Sequence, residues 1–206
     1  MNRTAVLTAL LIAMPTELLA QRPTVEAAAW SISPFVGVAR HSPVGNAWGI
    51  TPDRSHTLVG VHLEAPVLRV GAATLLYAPS ITPIMRITHQ PGAGSDDVKR
   101  SPVWGAGISP FGLALRIKLS PQLAIFGRST VGAAWFTDQV PVPDSREFNF
   151  VLAWGGGVEI YRSAAQSVEI GYKFHHLSNL YSRPQNPGLD ANLFYAGWRW
   201  YLRPRT

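Results

Sequence analysis

From Trp30 onward, apolar and polar residues alternate at every second position rather than at helical intervals. Between Phe148 and Ile160, the residues Phe148, Phe150, Leu152, Trp154, Val158 and Ile160 share one parity, with Gly156 among them. The opposite parity holds Asn149, Val151, Ala153, Gly155, Gly157 and Glu159, which are smaller and more polar. Val168, Ile170, Tyr172 and Phe174 likewise oppose Glu169, Gly171 and Lys173, and Phe194, Ala196, Trp198, Trp200 and Leu202 oppose Tyr195, Gly197, Arg199 and Tyr201. Successive side chains of a strand point to opposite faces, so each segment carries one apolar face and one face with isolated charges. Eight such strands are predicted, over residues 30–40, 54–65, 67–79, 103–119, 122–137, 147–162, 166–179 and 190–203.

Most of these reach the roughly 9–11 residues that a tilted strand needs to cross a bilayer. The connections alternate in length. Ala65-Pro66, Ser120-Pro121 and 162–166 read as short turns, whereas 41–53, 80–102, 138–146 and 180–189 are longer, polar and rich in Pro and Gly. Only Pro34 and Pro110 fall well inside predicted strands, which suits bulges or bends there. An even strand count with short turns at one end and long loops at the other defines an all-β, eight-stranded antiparallel up-and-down transmembrane β-barrel. Trp30, Trp104, Trp135, Trp154, Trp198 and Trp200 fall on the apolar faces; His62, Glu64, Arg69, Arg128, Glu159, Lys173 and Arg199 fall on the others. Eight strands enclose a space that side chains fill, so these charges should pair inside a plugged barrel rather than line a pore. A soluble lipocalin-like barrel has the same strand number but needs a more charged exterior.

Composition favours the membrane. Charged residues are 15% of the chain and hydrophobic ones 47%, against about 25% charged in an ordinary soluble domain. That balance excludes long disorder, and nothing after residue 20 has the roughly 18 apolar residues of a spanning helix. With no cysteine, disulfides and thiolate chemistry are excluded. The net charge of +6 is scattered, with no basic run longer than Lys99-Arg100, so a nucleic-acid footprint is not expected. Met1-Asn2-Arg3, the uncharged run Ala5–Met14 and Leu18-Leu19-Ala20 form an export signal over residues 1–20, cut near Ala20 or as late as Ala29. Residues 21–206 then make one barrel domain.

On the apolar parity of the seventh segment, Phe174 is followed by His176 and Ser178, and the eighth opens with Asp190 and Asn192 on the parity of Phe194. Paired strands lie about 4.8 Å apart, which brings acid and imidazole within reach. A serine hydroxyl becomes a nucleophile when an imidazole takes its proton, and a carboxylate holds that ring in the required tautomer. Polar groups on a lipid-facing surface are costly and call for a reason. The plainer alternative is that the strands leave the hydrocarbon here and these residues are interfacial.

The run His176-Leu177-Ser178-Asn179, followed by Asn186-Pro187-Gly188-Leu189-Asp190, resembles the lipid A 3-O-deacylase family of outer-membrane barrels. Its pattern is His-x-Ser-Asn, a short glycine-containing loop, then Asn-x-Gly-x-Glu. The resemblance implies a serine esterase facing the outer leaflet, with Ser178 as nucleophile, His176 as general base and Asp190 as orienting acid. It further implies that Asn186 helps bind the oxyanion while Asn179 supports the site. The implied partner is lipid A or lipopolysaccharide of a Gram-negative outer membrane, cleaved at an ester-linked acyl chain (the 3-O position) without a cofactor. The chain departs from the pattern twice: the acid is Asp, one methylene shorter than the family's Glu, and Leu180-Tyr181 stand where the family prefers small residues. A non-enzymatic structural or adhesive barrel with a decayed site is the competing reading, and a homodimer is left open. Elsewhere, His175 faces inward beside Lys173 as a structural residue. His41, His56, His62 and His89 lack ligand spacing, so no metal is expected, and Asp96-Asp97 reads as a solvated loop tip. Gly155-Gly156-Gly157 fits barrel packing rather than a phosphate loop.

Overall fold

The computed structural model describes residues 30–43, 48–89 and 101–202; the expected export signal and Asp96-Asp97 lie outside them. Nine strands follow in chain order: β1 (Ser31–Ala39), β2 (Arg54–Val70), β3 (Ala73–Tyr77), β4 (Ser80–His89), β5 (Val103–Lys118), β6 (Leu123–Val140), β7 (Arg146–Ser163), β8 (Gln166–Ser178) and β9 (Leu189–Tyr201). Every pairing is antiparallel between neighbours, and β1 pairs with both β2 and β9, which closes the sheet on itself. Closure leaves no unpaired edge, as a sheet in hydrocarbon requires.

Both β3 and β4 pair with β2 on one side and with β5 on the other. They are therefore two halves of one wall strand, and eight strands form the ring. The ladder is held across their junction, where Leu63 N–H donates to Pro79 O and Ala78 N–H donates to Gly112 O, each at 2.9 Å. This corrects the second and third predicted strands. The chain does not turn at Ala65-Pro66; β2 runs on to Val70 and reverses at Gly71-Ala72, with Gly71 at a φ of 57°. The expected strand 67–79 is replaced by 73–89, and what read as loop from residue 80 is strand as far as His89. Proline explains the error. Pro66, Pro83 and Pro110 all lie within strands, at register shifts of the ladder, where a residue without an N–H interrupts pairing yet leaves the strand intact.

The parity of each strand decides its faces. Val36, Val38, Ile108, Phe111, Leu113, Val131, Ile170 and Phe194 point outward and are exposed, with Trp30, Trp104, Trp135, Trp154, Trp198 and Trp200 among them. The interior is stratified. Toward the long-loop end it is mainly apolar, built on Leu58, Ile87, Phe136, Val151, Leu177, Leu189 and Leu193, with His56 and His175 among them. Toward the short-turn end, Arg116, Arg128 and Arg199 are buried against Glu64, Glu159 and Glu169. Of these, Arg116 extends the charges that parity named, while Arg69 sits exposed at the rim.

Arg199 holds this network together. Its Nη1 lies 2.6 Å from Glu64 Oε2, its Nη2 2.5 Å from Glu169 Oε2 and its Nε 3.3 Å from Glu159 Oε1. Glu159 and Glu169 stand directly opposite each other across β7 and β8. Like charges in that position repel, so a shared cation is what makes the register tolerable. His62 extends the network, with Nδ1 2.9 Å from Glu169 Oε1 and its ring stacked on Phe35 at 4.1 Å.

Removing one member of a buried ion cluster leaves the others uncompensated, at a cost of about 3–5 kcal/mol. Arg199→Met is therefore expected to lower unfolding free energy by about that much. The outward Val36→Leu is expected to stay within about 0.5 kcal/mol. Urea titration of the refolded barrel in lipid vesicles, followed by the mobility difference between folded and unfolded forms on gels, measures both.

Candidate functional site

The outward parity near the loop end of β8 and β9 breaks the rule that outward residues are exposed. Phe174 is 8% exposed, Ser178 7% and Asp190 0%, although Ile170 and Phe194 on the same faces lie open. Two segments cover them: the 179–188 connection, and residues 48–51 from the distant link between β1 and β2.

His176 and Asp190 are direct cross-strand partners. Side chains in that relation start about 5 Å apart, so a short carboxylate suffices: His176 Nδ1 lies 2.6 Å from Asp190 Oδ1. An imidazole that donates from Nδ1 keeps its lone pair on Nε2. Ser178 follows on the same face two residues along β8. Its Oγ accepts hydrogen bonds from Leu180 N–H and from Asn186 Nδ2, both at 3.1 Å. No hydrogen bond joins Ser178 to His176. The Asn186 amide is oriented by Asn179, whose N–H can only donate and meets Asn186 Oδ1 at 3.0 Å. Both amide atoms then meet the serine, with Nδ2 donating to Oγ and Oγ donating to Oδ1 at 3.2 Å. The Asn179 side chain in turn donates to Gln185 O at 2.8 Å, and Ser145 Oγ donates to the same carbonyl at 3.2 Å.

Residues Asn179–Ser182 form a tight turn, with Ser182 N–H donating to Asn179 O at 3.0 Å and both central residues left-handed, Leu180 at φ 51° and Tyr181 at φ 56°. L-residues there carry about 1–2 kcal/mol of strain each, a physical reason for small residues at these two positions. The bulk of Leu180 and Tyr181 is directed away from the site, at 64% and 79% exposure. The turn aims the Leu180 N–H at the serine. Gly188, at φ 64°, performs the other reversal; a Cβ there would lie 2.7 Å from Trp48 O and 3.1 Å from His176 Cε1.

The structure thus brings together His176, Ser178, Asn179, Asn186 and Asp190, the five residues singled out by sequence. Asn192 lies one layer down, accepting from Tyr172 OH at 2.6 Å. His175 is inside the barrel, its ring 6.3 Å from that of His56. Among the described residues, no group of three or more His, Asp or Glu is placed to hold a metal ion.

Sequence reasoning missed residues 48–51. Gly49 N–H donates to Asp190 Oδ2 at 2.9 Å, Ile50 N–H to Pro187 O at 2.8 Å, and Thr51 Oγ1 to Gly188 O at 2.7 Å. The Trp48 ring meets His176 edge-on at 5.7 Å and Trp154 at 4.8 Å. Nothing local in Trp48-Gly49-Ile50-Thr51 signals a contact with a residue 141 positions away.

A closed eight-stranded barrel with a lipid-suited exterior and a polar cluster at its outer rim is the architecture of a small outer-membrane protein. The model of the lipid A 3-O-deacylase (PagL) family matches residues 76–199, and the chain belongs to that family, in the outer membrane of Gram-negative bacteria. Among solved structures, it is similar to the outer membrane enzyme PagL, with 14% identity and a TM-score of 0.57, covering 81% of this chain and 97% of that one. Neisserial surface protein A is similar at 11% identity and a TM-score of 0.50, covering 85% and 99%. Those identities speak for the fold alone. No curated protein matches the chain.

Gly188→Ala is expected to destabilise the barrel by about 1–2 kcal/mol, since it forces an L-residue into left-handed backbone against Trp48 O and His176. A urea midpoint equal to that of the unaltered chain would contradict this account of the loop.

Proposed function

We propose that this protein is a serine esterase that removes the 3-O-linked acyl chain of lipid A through Ser178, His176 and Asp190. The observation that carries the reading is the 2.6 Å contact between His176 Nδ1 and Asp190 Oδ1, on a face that would otherwise meet lipid. A carboxylate and an imidazole buried there without a task would be a needless cost.

In this reading, His176 Nε2 takes the Ser178 proton as Oγ attacks the acyl carbonyl carbon, after rotation of the hydroxyl toward the ring. Asp190 holds the Nδ1–H tautomer and stabilises the imidazolium. The carbonyl oxygen becomes an oxyanion, met by Asn186 Nδ2 and Leu180 N–H, the two donors now on Ser178 Oγ. His176 returns the proton to the departing sugar oxygen, and water, activated by the same ring, then releases the fatty acid from the acyl-serine. Both donors are preorganised, one by the strained turn and the other by Asn179, and such donors typically lower a barrier by about 3–4 kcal/mol each. A site on the outer wall lets the acyl chain stay in hydrocarbon throughout. The phosphorylated headgroup would meet basic loop residues such as the exposed Arg183.

Mass spectrometry of lipid A incubated with the refolded barrel in vesicles tests this. The unaltered chain is expected to release one hydroxyacyl group. Ser178→Ala and His176→Ala should each lose roughly 10³-fold or more in kcat, and Asn186→Ala roughly 10²–10³-fold. Activity surviving in folded Ser178→Ala would overturn the mechanism. Absence of any release by the folded, unaltered chain would favour a structural or adhesive barrel that has kept the motif.

A further inference from the structure

The reading above uses the β8–β9 hairpin alone, yet that hairpin does not stand alone. Asp190 has two carboxylate oxygens. One is engaged by His176, and the other would be left buried and unpaired without Gly49, whose N–H meets Oδ2 at 2.9 Å. An unsatisfied buried acceptor costs about 1–3 kcal/mol and leaves the carboxylate free to rotate away from the ring. Asp has one methylene fewer than Glu with which to recover. The approach is close: a Cβ on residue 49 would fall 2.8 Å from both Asp190 Cγ and Oδ1. Only glycine lets the backbone come so near without displacing the acid.

The neighbours of Gly49 are tied to the same hairpin. Ile50 N–H and Thr51 Oγ1 bond to the carbonyls of Pro187 and Gly188, the two residues that lead the chain into Leu189 and Asp190. On the other side, the Trp48 ring abuts His176, and it also touches Trp154 and Phe174 on the outer wall. Residues 48–51 thus bridge β7, β8 and the start of β9 from outside, gripping acid and imidazole together.

We infer that Trp48–Thr51 is a positioning element of the active site, in which the Gly49 N–H fixes Asp190 and the Trp48 ring fixes His176 for proton transfer. This rests on the esterase reading. It assigns no contact with substrate to Gly49, whose effect runs through Asp190. A misplacement of about 1 Å in such a group can cost roughly 10²-fold in rate.

The test measures kcat and KM for lipid A deacylation in vesicles with Gly49→Ala, Asp190→Asn and the double variant, together with Trp48→Phe and Trp48→Ala. Folding of each is verified by gel mobility. Gly49→Ala is expected to lower kcat roughly 10–100-fold with KM changed by less than about twofold. In the Asp190→Asn background the same change should have little further effect, because two residues acting through one contact are not additive. Trp48→Phe should retain most of the activity that Trp48→Ala loses. Unchanged kcat in folded Gly49→Ala, or full additivity with Asp190→Asn, would overturn the inference while leaving the esterase intact. If Ser178→Ala is as active as the unaltered chain, the esterase reading itself has failed, whatever Gly49→Ala does.

Discussion

The antiparallel ladder between β8 and β9 is the constraint on which the rest depends. It runs without a register shift from Gln166 opposite Trp200 to Leu177 opposite Leu189. At its short-turn end, Arg199 on β9 is bound to Glu169 on β8 and to two further glutamates from β2 and β7. At its loop end, the same register sets Asp190 opposite His176. A slip by one residue would turn every side chain to the other face. It would bring Arg199 out into lipid and His176 against an apolar partner. The interior charges therefore do more than fill the barrel. By making every other register electrostatically costly, they fix the position of two residues near the opposite rim.

Lipid imposes the second condition. Outward residues of a barrel wall meet hydrocarbon, which cannot satisfy a carboxylate or an imidazole. The polar cluster persists on that face because two stretches of loop cover it and supply partners. Asp190 receives Gly49, Ser178 receives Leu180 and Asn186, and Asn186 receives Asn179. The result is a buried, mutually hydrogen-bonded polar cluster on the outer wall of the barrel. A site inside the barrel would have been blocked by Leu177, Leu189 and their neighbours in the interior core.

Much of this was legible because barrel physics writes a period of two into the chain. Parity alone separated Phe174, His176 and Ser178 from Lys173, His175 and Leu177, and both sets lie where parity put them. The second and third strands depart from expectation because Pro66 marks a bulge where a turn is predicted. The two meanings of proline differ only in whether the flanking residues keep their partners, and that depends on the neighbouring strand. Arg116 joins the charge cluster through a geometry that pairs residues from six strands, which no local pattern records. Residues 48–51 were invisible for a similar reason. Their hydrogen bonds to the site come from two backbone N–H groups and one threonine hydroxyl, beside the packing of the Trp48 ring on His176, and a backbone donor has no signature in a sequence.

The two departures from the family's motif, Asp for Glu and Leu-Tyr for small residues, now have physical accounts. Direct opposition of His176 and Asp190 across the ladder removes the need for a longer side chain, and the Gly49 N–H occupies the oxygen that a shorter carboxylate leaves behind. Leu180 and Tyr181 adopt left-handed backbone at a cost, but their side chains are exposed and leave the serine unobstructed. Such strain is tolerated where the surrounding bonds over-determine the conformation, and here the turn is held by Asn179, Asn186 and Gln185. What the strain secures is the direction of one N–H, that of Leu180, toward Ser178. In both cases a backbone N–H does the positioning, that of Gly49 on Asp190 and that of Leu180 on Ser178.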